Sequence, residues 1–105
     1  MDKQISAVEA SVLQKDNDAI LLDVREDSEL AICKIEGALH IPLSKIPDRY
    51  ASIPKERTVI VFCHHGMRSL KVQDFLATKG FDNVINMQGG IHAWSTNVDP
   101  QVPHY

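Results

Sequence analysis

The most constraining feature of the chain is a short segment in which an apolar run ends at a cysteine. Residues 59–62 read Val-Ile-Val-Phe, Cys63 follows directly, and a polar loop then leads to Ser69. A continuous run of branched and aromatic residues is typical of a strand that is buried on both faces of a parallel sheet. Because Ser69 stands where a helix N-cap belongs, the segment predicts a strand, a loop and a helix in that order.

The same alternation of strands and helices continues along the chain. Further strands are predicted at residues 19–24, 37–41 and 84–86, and further helices after Ser6, at residues 26–32 and at residues 91–95. Strands that alternate with helices favour a parallel sheet with helices on both faces. At 105 residues the chain is short, so we expect one α/β domain over residues 1–105.

Composition and charge argue against some classes of function. Hydrophobic residues make up 44% and charged residues 24%, as in ordinary globular proteins, and the net charge of −3 argues against a nucleic-acid surface. There is no cationic start before an apolar run and no apolar stretch of about 18 residues, so we expect a cytoplasmic protein without membrane association. The two cysteines lack the Cys-x-x-Cys spacing, and we expect reduced thiols.

The position of Cys63 predicts a reactive thiol. Ligands of open α/β sheets bind at the carboxyl ends of the strands, and the N-terminus of the following helix favours an anion. A thiolate is an anion, so this position favours the nucleophilic form of Cys63. The backbone N–H groups of residues 64–69 can curl inward as an anion-binding nest, with Gly66 supplying a positive φ or a close backbone approach. This loop is the candidate active site.

The sequence indicates the roles of other side chains near the loop less strongly than that of Cys63. Arg68 can orient an anionic substrate through its forked donors, whereas Ser69 is expected to cap the helix rather than react. Arg25 follows another strand at the same sheet edge. We expect equally that it contacts the substrate or the loop, or that it forms a plain surface ion pair. Cys33 is expected to be a small buried residue that is dispensable, in preference to a second thiol that resolves or pairs with Cys63.

His64 and His65 have two interpretations. Protonated near neutral pH, they would add positive charge around the sulfur; alternatively, they face solvent and only their backbone N–H groups matter. We favour the second interpretation. Adjacent histidines on one loop cannot easily converge on an ion, and no Cys/His/Asp/Glu set with ligand spacing accompanies them, so no metal site is predicted.

Four blocks of sequence carry a family resemblance. They are Leu-Leu-Asp-Val-Arg-Glu at 21–26, Ile-Glu-Gly-Ala-Leu-His-Ile-Pro-Leu at 35–43, Cys-His-His-Gly-Met-Arg-Ser at 63–69 and Gly-Gly-Ile-His-Ala-Trp at 89–94. In this order and spacing the chain resembles the rhodanese family of sulfurtransferases in its single-domain form. One departure is Glu36, where many relatives carry proline; it affects a connecting segment and leaves the reactive loop untouched.

The resemblance implies a fold and a reaction. The fold would be a rhodanese-like three-layer α/β/α sandwich with a central, mainly parallel five-stranded sheet. Cys63 would form a persulfide with sulfur from thiosulfate or another small donor and pass it to a thiophilic acceptor, without a cofactor. The loop residues that follow Cys63 would cradle the substrate together with Arg25, and Asp23 would be a structural support; the loop residues are His64, His65, Gly66, Met67, Arg68 and Ser69.

Three other functions remain open. A persulfide carrier would exchange sulfur with a partner protein, as donor or acceptor, and turn over thiosulfate poorly. A phosphatase or an arsenate reductase of similar fold would have a Cys-x5-Arg loop, but the spacing from Cys63 to Arg68 is Cys-x4-Arg, a tighter cradle, and no general acid stands out. A catalytically inactive interaction module is disfavoured because Cys63, Gly66 and Arg68 are intact.

Overall fold

A computed structural model describes residues 3–105 and contains one five-stranded sheet. The strands lie in the order β1-β5-β4-β2-β3, and every neighbouring pair is parallel. This confirms the predicted α/β class with a mainly parallel sheet. The strands are β1 (Gln4–Ile5), β2 (Ala19–Asp23), β3 (Leu39–His40), β4 (Thr58–Phe62) and β5 (Val84–Met87).

Helices cover both faces of the sheet and complete three layers. One apolar core lies between the sheet and helices α1 and α5, and a second lies between the sheet and α3 and α4. None of the helices within residues 3–105 is long and apolar enough to cross a bilayer. The helices are α1 (Ala7–Lys15), α2 (Asp27–Ile32), α3 (Ile46–Arg49), α4 (Met67–Thr78) and α5 (Gly90–Asn97), with single 3-10 turns at Leu43–Lys45 and Tyr50–Ser52.

The central strand β4 explains why the sequence around Cys63 is continuously apolar. Ile60 and Phe62 point into the core beneath α1 and α5, whereas Val59 and Val61 point into the core beneath α3 and α4. Successive side chains of a strand alternate between faces, so a strand in the middle layer needs apolar residues at every position. Because β4 is buried from Val59 to its end, the chain leaves the sheet only after Phe62, and the loop begins at Cys63.

Three local predictions differ from the structure. The two-residue strand β1 has no apolar run to announce it, and its Gln4 pairs with Asn86 at the sheet edge. The strand predicted at 37–41 is confined to Leu39–His40 because Gly37 has a φ of +83° and makes a turn. The N-cap prediction for Ser69 is wrong: Gly66 precedes the helix, and Ser69 lies buried within the first turn of α4.

Candidate active site

Cys63 lies at the junction of β4 and the loop, with its thiol directed at the start of α4. The residue is 1% exposed, and the backbone N–H of Gly66 donates a hydrogen bond to Cys63 Sγ at 3.1 Å. Gly66 has a φ of +108°, which confirms its predicted positive φ and lets the backbone turn its N–H back toward the sulfur. The sulfur therefore meets the positive end of a twelve-residue helix.

Asn86 connects the loop to the neighbouring strand β5. Ser69 Oγ donates a hydrogen bond to Asn86 Oδ1 at 2.5 Å and also lies 3.5 Å from Cys63 Sγ. Asn86 Nδ2 donates to the carbonyl oxygen of Gly66 at 3.4 Å. Sequence reasoning missed Asn86, although a buried amide inside the apolar run Val-Ile-Asn-Met is a signal that could have identified it.

The N-terminus of α5 holds the other side of the loop. The N–H of Ile91 donates to the carbonyl oxygen of Cys63 at 2.9 Å, and the N–H of His92 donates to that of His64 at 3.1 Å. Gly90 allows this approach, because a Cβ on it would lie 2.4 Å from the Cys63 carbonyl oxygen. Two helix N-termini, those of α4 and α5, therefore meet the loop from different directions.

Arg68 is the second residue of α4 rather than the last residue of the loop, and it has a partner that the sequence did not reveal. Its Nη1 and Nη2 donate to Glu29 Oε1 and Oε2 of α2, at 2.6 and 2.8 Å. This hydrogen-bonded guanidinium is the largest cause that lowers the pKa of Glu29, to about 2, and the Tyr105 hydroxyl, which donates to Glu29 Oε2 at 2.7 Å, lowers it further. Glu29 therefore holds the Arg68 side chain in place and compensates its positive charge.

The lowered pKa of Glu29 predicts a pH-dependent contribution to stability. An unfolded glutamate has a pKa near 4.5, so the Glu29–Arg68 pair contributes fully above that pH and loses its contribution as the pH falls toward 2. Because the pair is partly exposed, we expect about 1–2 kcal/mol. The gap in unfolding free energy between wild type and Glu29→Gln should shrink by that amount between about pH 6 and pH 2.5 in urea titrations.

A double-mutant cycle with Arg68→Ala provides the control for this pH effect. In the Arg68→Ala background the Glu29→Gln substitution should have a much weaker pH dependence, because the partner that lowers the pKa of Glu29 is gone. A Glu29→Gln gap that stays constant from about pH 6 to pH 2.5 in the wild-type background would contradict the assignment.

Arg25 is buried, which corrects the expectation of a plain surface ion pair, while a contact with substrate or loop stays a prediction. It is 0% exposed. Burial lowers the pKa of its guanidinium, but the hydrogen bonds to Asp23 and Tyr105 raise it by more, so the pKa lies above its usual value. Its five N–H donors all have acceptors within the protein. These are both oxygens of Asp23, the carbonyl oxygens of Cys33 and Glu29, and the Tyr105 hydroxyl. Asp23 is correspondingly buried, as a structural support would be.

The remaining side chains of residues 64–67 lie toward the surface. Met67 is 71% exposed, His65 is exposed and His64 is half-buried, with its ring stacked on Tyr105 at 3.8 Å between centroids. Burial is the main cause that lowers the pKa of His64, and the neighbouring His65 lowers it further. The lowered pKa disfavours the charged form of His64, but its half-buried ring does not face solvent as the second interpretation expected, so the role of this side chain stays a prediction.

Cys33 is a buried free thiol at the end of α2. It is 7% exposed, and its Sγ lies 3.9 Å from Arg25 Nη1. Both Cys33 and Cys63 are free cysteines. The prediction of a small buried residue is confirmed, and its dispensability for any reaction at Cys63 stays a prediction.

Known proteins with similar sequence and structure place the chain in a family. Residues 6–97 match the rhodanese-like domain family. A sulfurtransferase of Allochromatium vinosum is 39% identical over 85 residues, covering 81% of this chain and 79% of that protein. The thiosulfate sulfurtransferase GlpE of Coxiella burnetii is 35% identical over 97 residues, 92% of this chain and 91% of that protein. The crystal structure of a rhodanese-related protein from Thermoplasma volcanium has a TM-score of 0.84 at 29% identity, covering 91% of this chain and 93% of that chain. The chain belongs to the rhodanese-like domain family.

Proposed function

We propose that the protein is a rhodanese-type sulfurtransferase that carries sulfane sulfur on Cys63. The donor is thiosulfate or another small sulfane-sulfur compound, and the acceptor is a thiophile. The observation that carries the proposal is the hydrogen bond from the Gly66 N–H to Cys63 Sγ at the start of α4. Such a donor stabilises an anionic sulfur without giving it a proton, and both the thiolate and the persulfide are anions.

The reaction has two displacement steps. The Cys63 thiolate attacks the outer sulfur of thiosulfate, an S–S bond forms, the S–S bond of thiosulfate breaks, and its electron pair leaves with sulfite. A thiophile such as cyanide then attacks the terminal sulfur of the persulfide, thiocyanate leaves, and the thiolate is restored. The loop around Cys63 must accommodate one extra sulfur without moving the two helix N-termini that support it.

Intact-mass spectrometry tests the persulfide directly. After incubation with thiosulfate, the reduced protein should gain about 32 Da, the mass of one sulfur, and cyanide should remove this mass and release thiocyanate. Peptide mapping should assign the added mass to the peptide that contains Cys63. No gain with thiosulfate or with a protein persulfide donor would contradict the proposal.

Arg68 provides a prediction about donor binding. If Arg68 binds the anionic end of the donor, Arg68→Ala removes a charged hydrogen bond worth about 1.5–3 kcal/mol and should raise the KM for thiosulfate about ten- to a hundredfold. Glu29→Gln should have the opposite effect and lower KM severalfold, because it removes the carboxylate that occupies two Arg68 donors.

Steady-state thiosulfate:cyanide kinetics measure both substitutions. Arg49, an exposed arginine on α3, serves as the matched control, and Arg49→Ala should leave KM unchanged. Wild-type kinetics for Arg68→Ala would remove that residue from donor binding.

One feature favours a second candidate, a persulfide carrier that exchanges sulfur with a partner protein. The guanidinium of the nearby Arg68 is engaged with Glu29, which disfavours tight binding of a small anion. A carrier would load from a protein persulfide donor while turning over thiosulfate slowly. Comparing the loading rates with the two donors on the same protein distinguishes the candidates.

A further inference from the structure

Histidines are concentrated beside the reactive loop. The chain has five histidines, and four of them form one group of neighbouring rings in the structure. Ring centroids lie 4.0 Å apart for His64 and His65, 5.0 Å for His65 and His92, and 4.6 Å for His92 and His104. The sulfur chemistry proposed for Cys63 does not use these imidazoles, so the cluster needs a separate explanation.

Three of these histidines converge on one point. One side-chain nitrogen each from His64, His65 and His92 can be chosen so that all three lie within 4.8 Å of one another. No metal site was predicted because the adjacent pair converges poorly and no residues at ligand spacing along the chain accompany it, but the third imidazole comes from α5, which is distant in sequence. The hydrogen bond from the His92 N–H to the His64 carbonyl oxygen, 3.1 Å long, fixes the backbone of α5 against the loop. The convergence is therefore built into the fold.

Two nitrogens of the cluster are buried without a partner. Within residues 3–105, neither His64 Nε2 nor His92 Nδ1 has a hydrogen-bond partner, although both atoms are shielded from solvent. An unsatisfied buried polar atom costs about 1–3 kcal/mol, so each such atom in a native fold calls for a ligand, a water or an ion. Two of them in one cluster, on rings whose centroids lie 6.4 Å apart, point to a shared ligand.

We propose that His64, His65 and His92 form a binding site for a divalent transition-metal ion, Zn²⁺ in the first place. Neutral imidazole suits Zn²⁺ and its neighbours, whereas Mg²⁺ and Ca²⁺ require oxygen ligands. Three histidines leave one tetrahedral position open to water or to an anion. Zn–N bonds of about 2.0–2.1 Å place tetrahedral ligand atoms about 3.4 Å apart, so the nitrogens must approach by about 1.4 Å at most. The exposed His65 side chain is free to make much of that movement.

The site is distinct from the thiol that the proposed sulfur transfer uses. Thiolates also bind Zn²⁺, so the decisive test must separate the imidazoles from Cys63. His92 suits this purpose because it lies on α5, outside the loop that cradles the sulfur. His40 on β3 is the matched control: it is half-buried, it hydrogen-bonds the carbonyl oxygen of Arg25, and it lies outside the cluster.

The test is a competition titration of the full reduced chain with ZnCl2 against a chromophoric chelator. We expect one Zn²⁺ per chain, a Kd raised at least about tenfold by His92→Gln, and an unchanged Kd for His40→Gln and for Cys63→Ser. Co²⁺ in place of Zn²⁺ should give visible d–d absorption without a thiolate charge-transfer band. Equal affinity of His92→Gln and wild type, loss of binding in Cys63→Ser, or no binding by wild type would each overturn the proposal. Circular dichroism of each variant checks that the fold is retained.

Discussion

Replacing Cys63 by serine should reduce sulfur transfer to the background rate while the fold remains intact. Sulfur transfer needs a nucleophile that accepts a sulfur atom and releases it again, and among ordinary side chains only the cysteine thiolate does both. The serine hydroxyl is smaller than the thiol, and its oxygen can accept the hydrogen bond that the Gly66 N–H now donates to Cys63 Sγ. We therefore expect the free energy of unfolding to change by about 1 kcal/mol or less.

The second cysteine offers the control for this prediction. Cys33 is also buried and free, so Cys33→Ala removes a thiol from a comparable environment without touching the loop. Its thiosulfate:cyanide turnover should equal that of wild type. Residual persulfide formation in Cys63→Ser would show that Cys63 is not the cysteine that carries the sulfur. A loss of turnover in folded Cys33→Ala would show that Cys33 is also essential.

Gly90→Ala should have the second largest effect, on both stability and activity. A Cβ at this position would lie 2.4 Å from the Cys63 carbonyl oxygen and 2.5 Å from that of His64, and both are backbone atoms that no side-chain rotation can clear. Gly90 also has a φ of +59°, which disfavours any side chain. Overpacking and backbone strain together should cost about 2–4 kcal/mol of unfolding free energy. Because the loop must move, sulfur loading of Cys63 should also fall at least about tenfold.

Gly37→Ala separates the clash from the strain. Gly37 has a similar positive φ of +83°. A Cβ added there would meet only the flexible end of Gln14, at an ordinary van der Waals distance of 3.5 Å. It should lose about 1 kcal/mol and retain full sulfur loading. Urea denaturation and mass-spectrometric loading measure the two effects on the same samples. If Gly90→Ala behaves like Gly37→Ala, the close packing of α5 on the loop is not required for the site.

The parts of the site that could be predicted are those set by neighbouring residues in the sequence. The apolar run before Cys63 marks a buried strand, and a glycine three positions after the cysteine marks a left-handed turn. Strand burial and turn conformation follow from local residue types. The wrong N-cap prediction at Ser69 also has a local cause. Gly66, three residues earlier, is the residue that precedes the helix, so the serine hydroxyl lies inside the first turn and is directed inward at Asn86.

The parts that could not be predicted depend on contacts between distant segments. Glu29 meets Arg68 across 39 positions, and Asn86 meets Ser69 across 17. Tyr105 reaches Arg25 across 80 positions. Each of these contacts joins two segments that are distant in sequence and meet near the carboxyl edge of the sheet, and only the folded order of the strands brings them together. No periodicity or spacing in the chain encodes such pairs.

The pairing of Arg68 with Glu29 and of Arg25 with Asp23 has a consequence for how an anion meets the loop. Each of these two cations is matched by a carboxylate within 2.7 Å, so at a distance their fields largely cancel. What remains near Cys63 is the contribution of backbone dipoles at the ends of α4 and α5, and this contribution fades within about a helical turn. The loop therefore recognises an anionic sulfur compound after arrival, at contact range, and long-range electrostatic steering has little part in bringing it there.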